Sequence, residues 1–196
     1  MQKEINNAVL ALKKGGVILI PTETVYGIAA DATNKNAIQK IYQIKQRDAS
    51  KPLQLLVKNL KEAEKFVSFN EISRKAALKY WSGPLTLILN EKGNNNLSKN
   101  LNNSDGTIGV RVPNHQILAE LFEHIDFPLA ATSANLSGNR PFLEFKQAEE
   151  YFTGRVDYLL DGGNAEIGEA STIADLRNNI NIIREGKITA KDIGAL

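Results

Sequence analysis

Three cations fall within seven residues of this chain. Lys45, Arg47 and Lys51 lie in the stretch IKQRDASKPL (residues 44–53), between two apolar segments, in a protein whose net charge is only +2. Lys45 follows Ile41 by four residues and Tyr42 by three, which on a helix places it on their apolar stripe and not on the solvent side. A lysine there either snorkels out or meets an anionic partner. Two chemistries fit the cluster. The cations can complement the negative end of a helix dipole, at about half a kcal/mol each. Alternatively they clamp a phosphate, Arg offering a planar fork and Lys a point charge. A dipole needs one cation or two; three, with one on the buried stripe, favour an anion.

Three further stretches gather polar groups. PTETVYG (21–27) follows the apolar run VILI and offers Thr22, Glu23, Thr24 and Tyr26 where open α/β sheets commonly place ligands. Its plainer reading has the threonines capping a turn and Tyr26 packing. TIGVRV (107–112) alternates, so Ile108, Val110 and Val112 share one face while Thr107, Gly109 and Arg111 share the other. If the sheet is mostly covered, Arg111 lines a cleft. In AATSANLSG (130–138), small residues and the hydrogen-bonding groups of Ser133 and Asn135 crowd a strand end, allowing a ligand close to the backbone. Several chemistries are excluded. There is no cysteine, which removes disulfides, thiolate zinc sites and thiol nucleophiles, and His115 and His124 are too few for a histidine metal cage. A G-x-S-x-G elbow, a Walker P-loop and a G-x-G-x-x-G turn are all missing.

The elements that must position these residues follow from periodicity. Ile5, Ala8, Val9 and Leu12 recur at helical spacing and stop at Gly15-Gly16; a second helix carries Ile38, Ile41 and Tyr42. VILI (17–20), LQLLV (53–57), LTLIL (85–89), TIGVRV and PLAAT (128–132) read as strands, and EISRKAALKYWSG as a helix closing at Gly83. Pro113-Asn114 opens a helix striped by Ile117, Leu118, Leu121 and Phe122, and another covers about 144–152. VDYLL, STIADL and NIIRE read as three late strands, and TAKD (189–192) as the capping box of a short final helix. The Asn-rich segment 90–106 is a loop, long for a compact domain, and a candidate lid. Strands and helices interleave, so the fold class is α/β (mixed α+β). With 196 residues the chain reads as a single domain over 1–196. Its polar, periodic start does not resemble a signal peptide and no apolar run is long enough to span a bilayer, so a cytoplasmic protein without membrane association is expected.

Taken in order, PTETVYGIAAD, Lys45-Gln46-Arg47 followed by SKPL, WSGPLTLIL, GVRVP, SANLSG and the late STI…IIREG resemble the YrdC-type domain, from about residue 5 to about 187. The chain looks like a member of the threonylcarbamoyl-adenylate synthase family. The resemblance implies a twisted sheet flanked by helices, with a concave basic cleft. It implies a nucleotidyltransferase that makes threonylcarbamoyl-adenylate and pyrophosphate from L-threonine, bicarbonate or CO2, and ATP. The product would pass to the tRNA threonylcarbamoyl-transferase complex, which modifies the adenosine beside the anticodon. By similarity Lys45, Arg47, Ser133 and Asn135 form the characteristic tetrad. Arg47, Lys51, Thr107, Ser133 and Arg184 would hold ATP, and Thr22, Arg111, Ala131 and Ser171 the threonine. Mg2+ would ride on the triphosphate, with no metal site of the protein's own.

Two departures stand out. Some relatives carry a histidine where this chain has Leu56, so threonine selectivity is expected to use other groups. The chain is also expected to lack the further C-terminal domain of longer relatives, leaving closure to the Asn-rich segment. Two other readings compete: a basic concavity that binds double-stranded RNA or tRNA without catalysis, and a carbamoyl-transfer paralogue, whose usual zinc-binding cysteines this chain lacks.

Overall fold

The computed structural model describes residues 1–93, 95–98, 101, 105–136 and 138–195. Ten strands are described: β1 (Ile18–Ile20), β2 (Gly27–Asp31), β3 (Gln54–Leu56), β4 (Val67–Ser68), β5 (Leu85–Glu91), β6 (Thr107–Arg111), β7 (Leu129–Ser133), β8 (Tyr158–Leu159), β9 (Thr172–Asp175) and β10 (Asn181–Arg184). They form one mixed sheet in the order β10-β9-β5-β6-β3-β7-β2-β1-β8, with β4 paired to β5. The pairs β3–β6, β5–β9 and β1–β8 are parallel and the others antiparallel. The helices are α1 (Gln2–Lys13), α2 (Lys35–Lys45), α3 (Leu60–Phe66), α4 (Glu71–Tyr80), α5 (Gln116–Glu123), α6 (Phe145–Phe152) and α7 (Ala190–Gly194). None of them is long and apolar enough to cross a membrane. The mixed α/β class expected from the interleaved pattern is the one observed.

Strand alternation divides the sheet into two unequal faces. One buries Leu19, Ile28, Ala30, Leu55, Leu87, Val110, Ala130 and Ala174 against α2, α4 and α6, through residues such as Ile38, Ile41, Ala76, Ala77 and Phe152. The other buries Ile18, Ile20, Ala29, Leu56, Leu129 and Ala131 against α1 and α5. Each leucine, isoleucine or valine among them contributes about 1.5–3 kcal/mol when fully buried. The helical cover stops short. Among the described residues, no helix residue lines the part of this second face formed by Gln54, Thr86, Ile88, Gly109, Arg111, Ser133, Ile173 and Arg184. That uncovered stretch is the floor of a cavity.

Several elements differ from the sequence expectations. GIAAD forms β2, although small residues and a glycine give it little strand signature. Helix α3 and strand β4 were not anticipated. Helix α4 ends at Tyr80 and not at Gly83, whose role is close approach: a Cβ there would sit 2.4 Å from the Tyr80 carbonyl oxygen. The TAKD capping box is present in both halves, with Thr189 accepting from the Asp192 amide and Asp192 from the Thr189 amide.

The candidate lid meets a packing obstacle. Leu97 and Leu101 are buried in the main core, on the sheet face away from the cavity, and the Ser98 amide donates to Ala32 O at 3.0 Å. Two leucines anchor the described part of segment 90–106 to the body, and none of its described residues lines the cavity. Residues 94, 99, 100 and 102–104 of this segment lie outside the described residues.

Candidate functional site

The cavity has a volume of about 190 Å³. Alternation explains its floor. Gln54 pairs with Gly109 on one side and Ala131 on the other, Gly109 pairs with Ile88, Ser133 with Gly27, and Arg184 with Ile173. All point to the same face. The turn 21–26 between β1 and β2 forms one rim. There Thr22 Oγ1 accepts from the amides of Thr24 and Val25 and donates to Val25 O at 2.6 Å. Tyr26 packs as the plainer reading has it: its hydroxyl donates to Gly163 O at 2.7 Å, and burial pushes its pKa up to about 12.

Three guanidiniums reach this cavity, each held along one edge. Arg47 follows α2, where Gln46 adopts a left-handed conformation (φ 49°) and the Arg47 amide returns to Tyr42 O. Its Nε donates to Lys51 O and its Nη2 to Pro52 O, both at 3.1 Å. Arg184 hooks Ser171: Nε and Nη2 donate to Ser171 O at 3.0 and 2.8 Å, and Nη2 also to Ser171 Oγ at 3.2 Å. Arg111 donates from Nε to Gly83 O at 3.1 Å and from Nη2 to Thr24 Oγ1 at 3.0 Å. Nη2 also approaches Glu23 Oε1 at 2.7 Å, an ion pair outside hydrogen-bond angles, with both side chains at most 4% exposed. In all three arginines Nη1 has no partner among the described residues. Arg47 and Arg184 also lack a carboxylate partner among them, and no Asp or Glu lines the cavity. Burial lowers the pKa of Arg47 and Arg184, and for Arg184 the charge of Arg111 adds to the effect.

Lys45 has a different place. It is 1% exposed, on the apolar stripe of α2 as its spacing implies. Its ammonium donates to Ser133 O, to Asn135 O at 2.7 Å and to Asn135 Oδ1 at 2.8 Å. Ser133 Oγ donates to Asn135 Oδ1 at 2.6 Å, and Asn135 Nδ2 donates to Asn139 O at 2.6 Å. All three protons of the ammonium are thus spent on the loop leaving β7. Burial, with Arg47 nearby as a second cause, lowers its pKa to about 8.

Of the residues singled out from the sequence, Thr22, Arg47, Arg111, Ala131, Ser133, Ser171 and Arg184 line one cavity. Lys45 and Asn135 stand behind it. Lys51 and Thr107, expected as ATP contacts, stand off its wall. The Lys51 side chain is exposed, and what it contributes is its carbonyl, which accepts from Arg47 and from the Tyr42 hydroxyl. Thr107 begins β6 opposite Asn90, and its hydroxyl donates to Asp105 Oδ1 at 2.7 Å. Glu23 was noted only among the polar groups of the 21–27 turn, and Gln54 and Thr86 were not foreseen as site residues. Alternation in LQLLV and LTLIL does carry a signal for two of them, because it sets Gln54 on the face of Leu56 and Thr86 on that of Ile88.

Comparisons with known proteins agree with this architecture. The Sua5/YciO/YrdC family model, described as telomere recombination, matches residues 10–186. A threonylcarbamoyl-AMP synthase from Pseudoalteromonas translucida is 36% identical over 183 residues, covering 90% of this chain and 95% of the relative. One from Bacillus subtilis is 33% identical over 195 residues, covering 98% of this chain, which spans only 56% of that longer protein. Among solved structures, P. abyssi Sua5 complexed with L-threonine superposes with a TM-score of 0.93 at 31% identity, over 100% of this chain and 57% of the other. With a family match over most of its length and a sheet shared with a solved member, the chain belongs to the Sua5/YciO/YrdC family.

Proposed function

We propose that this protein is a threonylcarbamoyl-AMP synthase, a nucleotidyltransferase that couples L-threonine, CO2 or bicarbonate, and ATP, releasing pyrophosphate. The observation that carries the reading is the set of three half-anchored guanidiniums. Arg47, Arg111 and Arg184 are each fixed along Nε and Nη2, and each keeps Nη1 for a ligand. A rigid fork of this kind suits carboxylate and phosphate oxygens. The synthase names of the relatives, and the threonine complex of the structural neighbour, support the same assignment.

The chemistry asks little more of the chain. The amine of threonine attacks CO2, losing a proton and forming a carbamate. A carbamate oxygen then attacks the α-phosphorus of ATP, a P–O bond forms, and the bond to the β-phosphate breaks with its electrons on pyrophosphate. No side-chain nucleophile or histidine base is required. What the protein supplies is alignment and a fixed positive field where negative charge accumulates. In this assignment Arg111 takes the threonine carboxylate, and Arg47 and Arg184 take phosphate oxygens, with Ser133 as a hydroxyl partner. Lys45 and Asn135 act as positioning residues that hold the Ser133 loop.

The wall donors are hydroxyls, an amide and guanidiniums, which fit the oxygens of a triphosphate better than a bare cation, so Mg2+ enters with ATP as part of the substrate. The cavity is smaller than the roughly 300–1,000 Å³ typical of ligand pockets. The amino acid and reacting phosphate occupy it, and the remainder of the nucleotide extends past the Arg47 rim. The product feeds tRNA modification in the cytoplasm through a threonylcarbamoyl-transferase complex. The deciding experiment is pyrophosphate release with ATP, bicarbonate and each amino acid in turn. Release that depends on threonine is expected; its absence overturns the assignment.

A further inference from the structure

Gln54 sits at the centre of the cavity floor, and its hydrogen bonding has a direction. Arg184 can only donate, and its Nη2 donates to Ser171 Oγ. Ser171 Oγ and Thr86 Oγ1 are 2.9 Å apart, and Thr86 Oγ1 donates to Gln54 Oε1 at 3.4 Å. If Ser171 donates to Thr86 and Thr86 to Gln54, each hydroxyl proton is used once along the line. The reverse order leaves the Ser171 proton without an acceptor among the described residues. The line therefore ends on the carbonyl oxygen of Gln54, and its Nε2, which has no partner among the described residues, is left with two N–H groups for the cavity.

The surroundings of that donor are specific. Leu56, two residues along the same strand face, pairs with Arg111, and Gln54 pairs with Gly109. On the register of this parallel pair, Gln54 lies one same-face position along the floor from Arg111. Leu56, Ala131 and Ile88 add apolar surface at the same level. Gly109 keeps the floor low: a Cβ there would meet Ile88 Cδ1 at 3.2 Å and Thr86 Cγ2 at 3.4 Å. A donor beside apolar side chains, on the same cavity floor as a guanidinium, is complementary to a side chain bearing both a hydroxyl and a methyl.

We infer that Gln54 is a specificity-determining residue that donates to the β-hydroxyl of the substrate threonine, oriented by the Thr86–Ser171–Arg184 line. This takes the role left open by the leucine at position 56. The inference rests on the synthase reading, and its test separates the two. Pyrophosphate release is measured against threonine concentration for the wild type and for Gln54→Met, with valine, the isostere lacking the hydroxyl, as competitive inhibitor. Losing one hydrogen bond raises the threonine KM roughly tenfold, while the valine Ki and the ATP KM stay as they were. Gln54→Glu keeps the length and the Thr86 acceptor but loses the donors, and shows the same selective loss. Circular-dichroism melts verify that each variant folds. An unchanged threonine KM in both variants, or an equal loss for threonine and valine, overturns the role of Gln54 and leaves the synthase assignment standing. A wild type that releases no pyrophosphate with threonine overturns both.

Discussion

Replacing Lys45 by Met should change how stability depends on pH, by an amount that follows from the geometry. The ammonium is 1% exposed and its pKa is lowered from 10.5 to about 8, mainly by burial. That drop corresponds to about 3 kcal/mol of preference for the neutral amine in the folded chain. Below pH 8 both folded and unfolded chains carry the proton, and the folded chain bears the whole cost of burying it. Between pH 8 and 10.5 the folded chain has shed the proton while the unfolded chain retains it, so unfolding free energy rises with pH. Above 10.5 neither is charged and the rise ends. Urea unfolding of wild type and Lys45→Met from pH 7 to 11 isolates this contribution, because other groups titrate alike in both. The wild-type value minus the variant value should climb by about 3 kcal/mol across the window. A flat difference refutes the description of Lys45 as a buried ammonium. Turnover should separate from stability: Lys45→Met at pH 7 keeps a cooperative transition but loses activity, because Ser133 O, Asn135 O and Asn135 Oδ1 lose their common donor.

Two further substitutions probe the guanidiniums. Arg47→Ala should lower kcat/KM by about 100-fold or more with the melting temperature little changed; wild-type rates would remove Arg47 from the site. Glu23→Gln leaves the buried Arg111 without a counter-charge. It should cost about 3 kcal/mol in urea unfolding and raise the threonine KM; unchanged stability would show that the pair is not the anchor of Arg111.

How far the sequence foretold the site depends on the residue. Lys45 was legible because a charge on a helix stripe that should be apolar is an anomaly one spacing argument exposes. Arg111 was legible because strict alternation in TIGVRV assigns its face. The use of Lys45 was not, since its partners are oxygens of Ser133 and Asn135, some ninety residues away. Arg184 and Ser171 had no local signal, and entered only through resemblance to a family; what joins them to the cavity is the parallel pairing of β9 with β5. Lys51 is a related case: its charge is visible in sequence, whereas its carbonyl, the group that holds Arg47, is common to every residue. β2 escaped notice because Gly, Ala and Ala form a buried strand through close packing and not through large apolar side chains.

The strand order carries a consequence for how the protein is made. Both outermost strands, β8 and β10, come from residues 158–184, although one flanks β1 and the other lies beyond β5 and β9. A chain emerging from the ribosome N-terminus first therefore has two open sheet edges for most of its synthesis, each a template for mispairing with another chain. Ser171 and Arg184 arrive in that same stretch. Protection of the edges and completion of the cavity wall thus both come late, so a nascent or truncated chain stopping before residue 158 leaves both edges open and lacks Ser171 and Arg184.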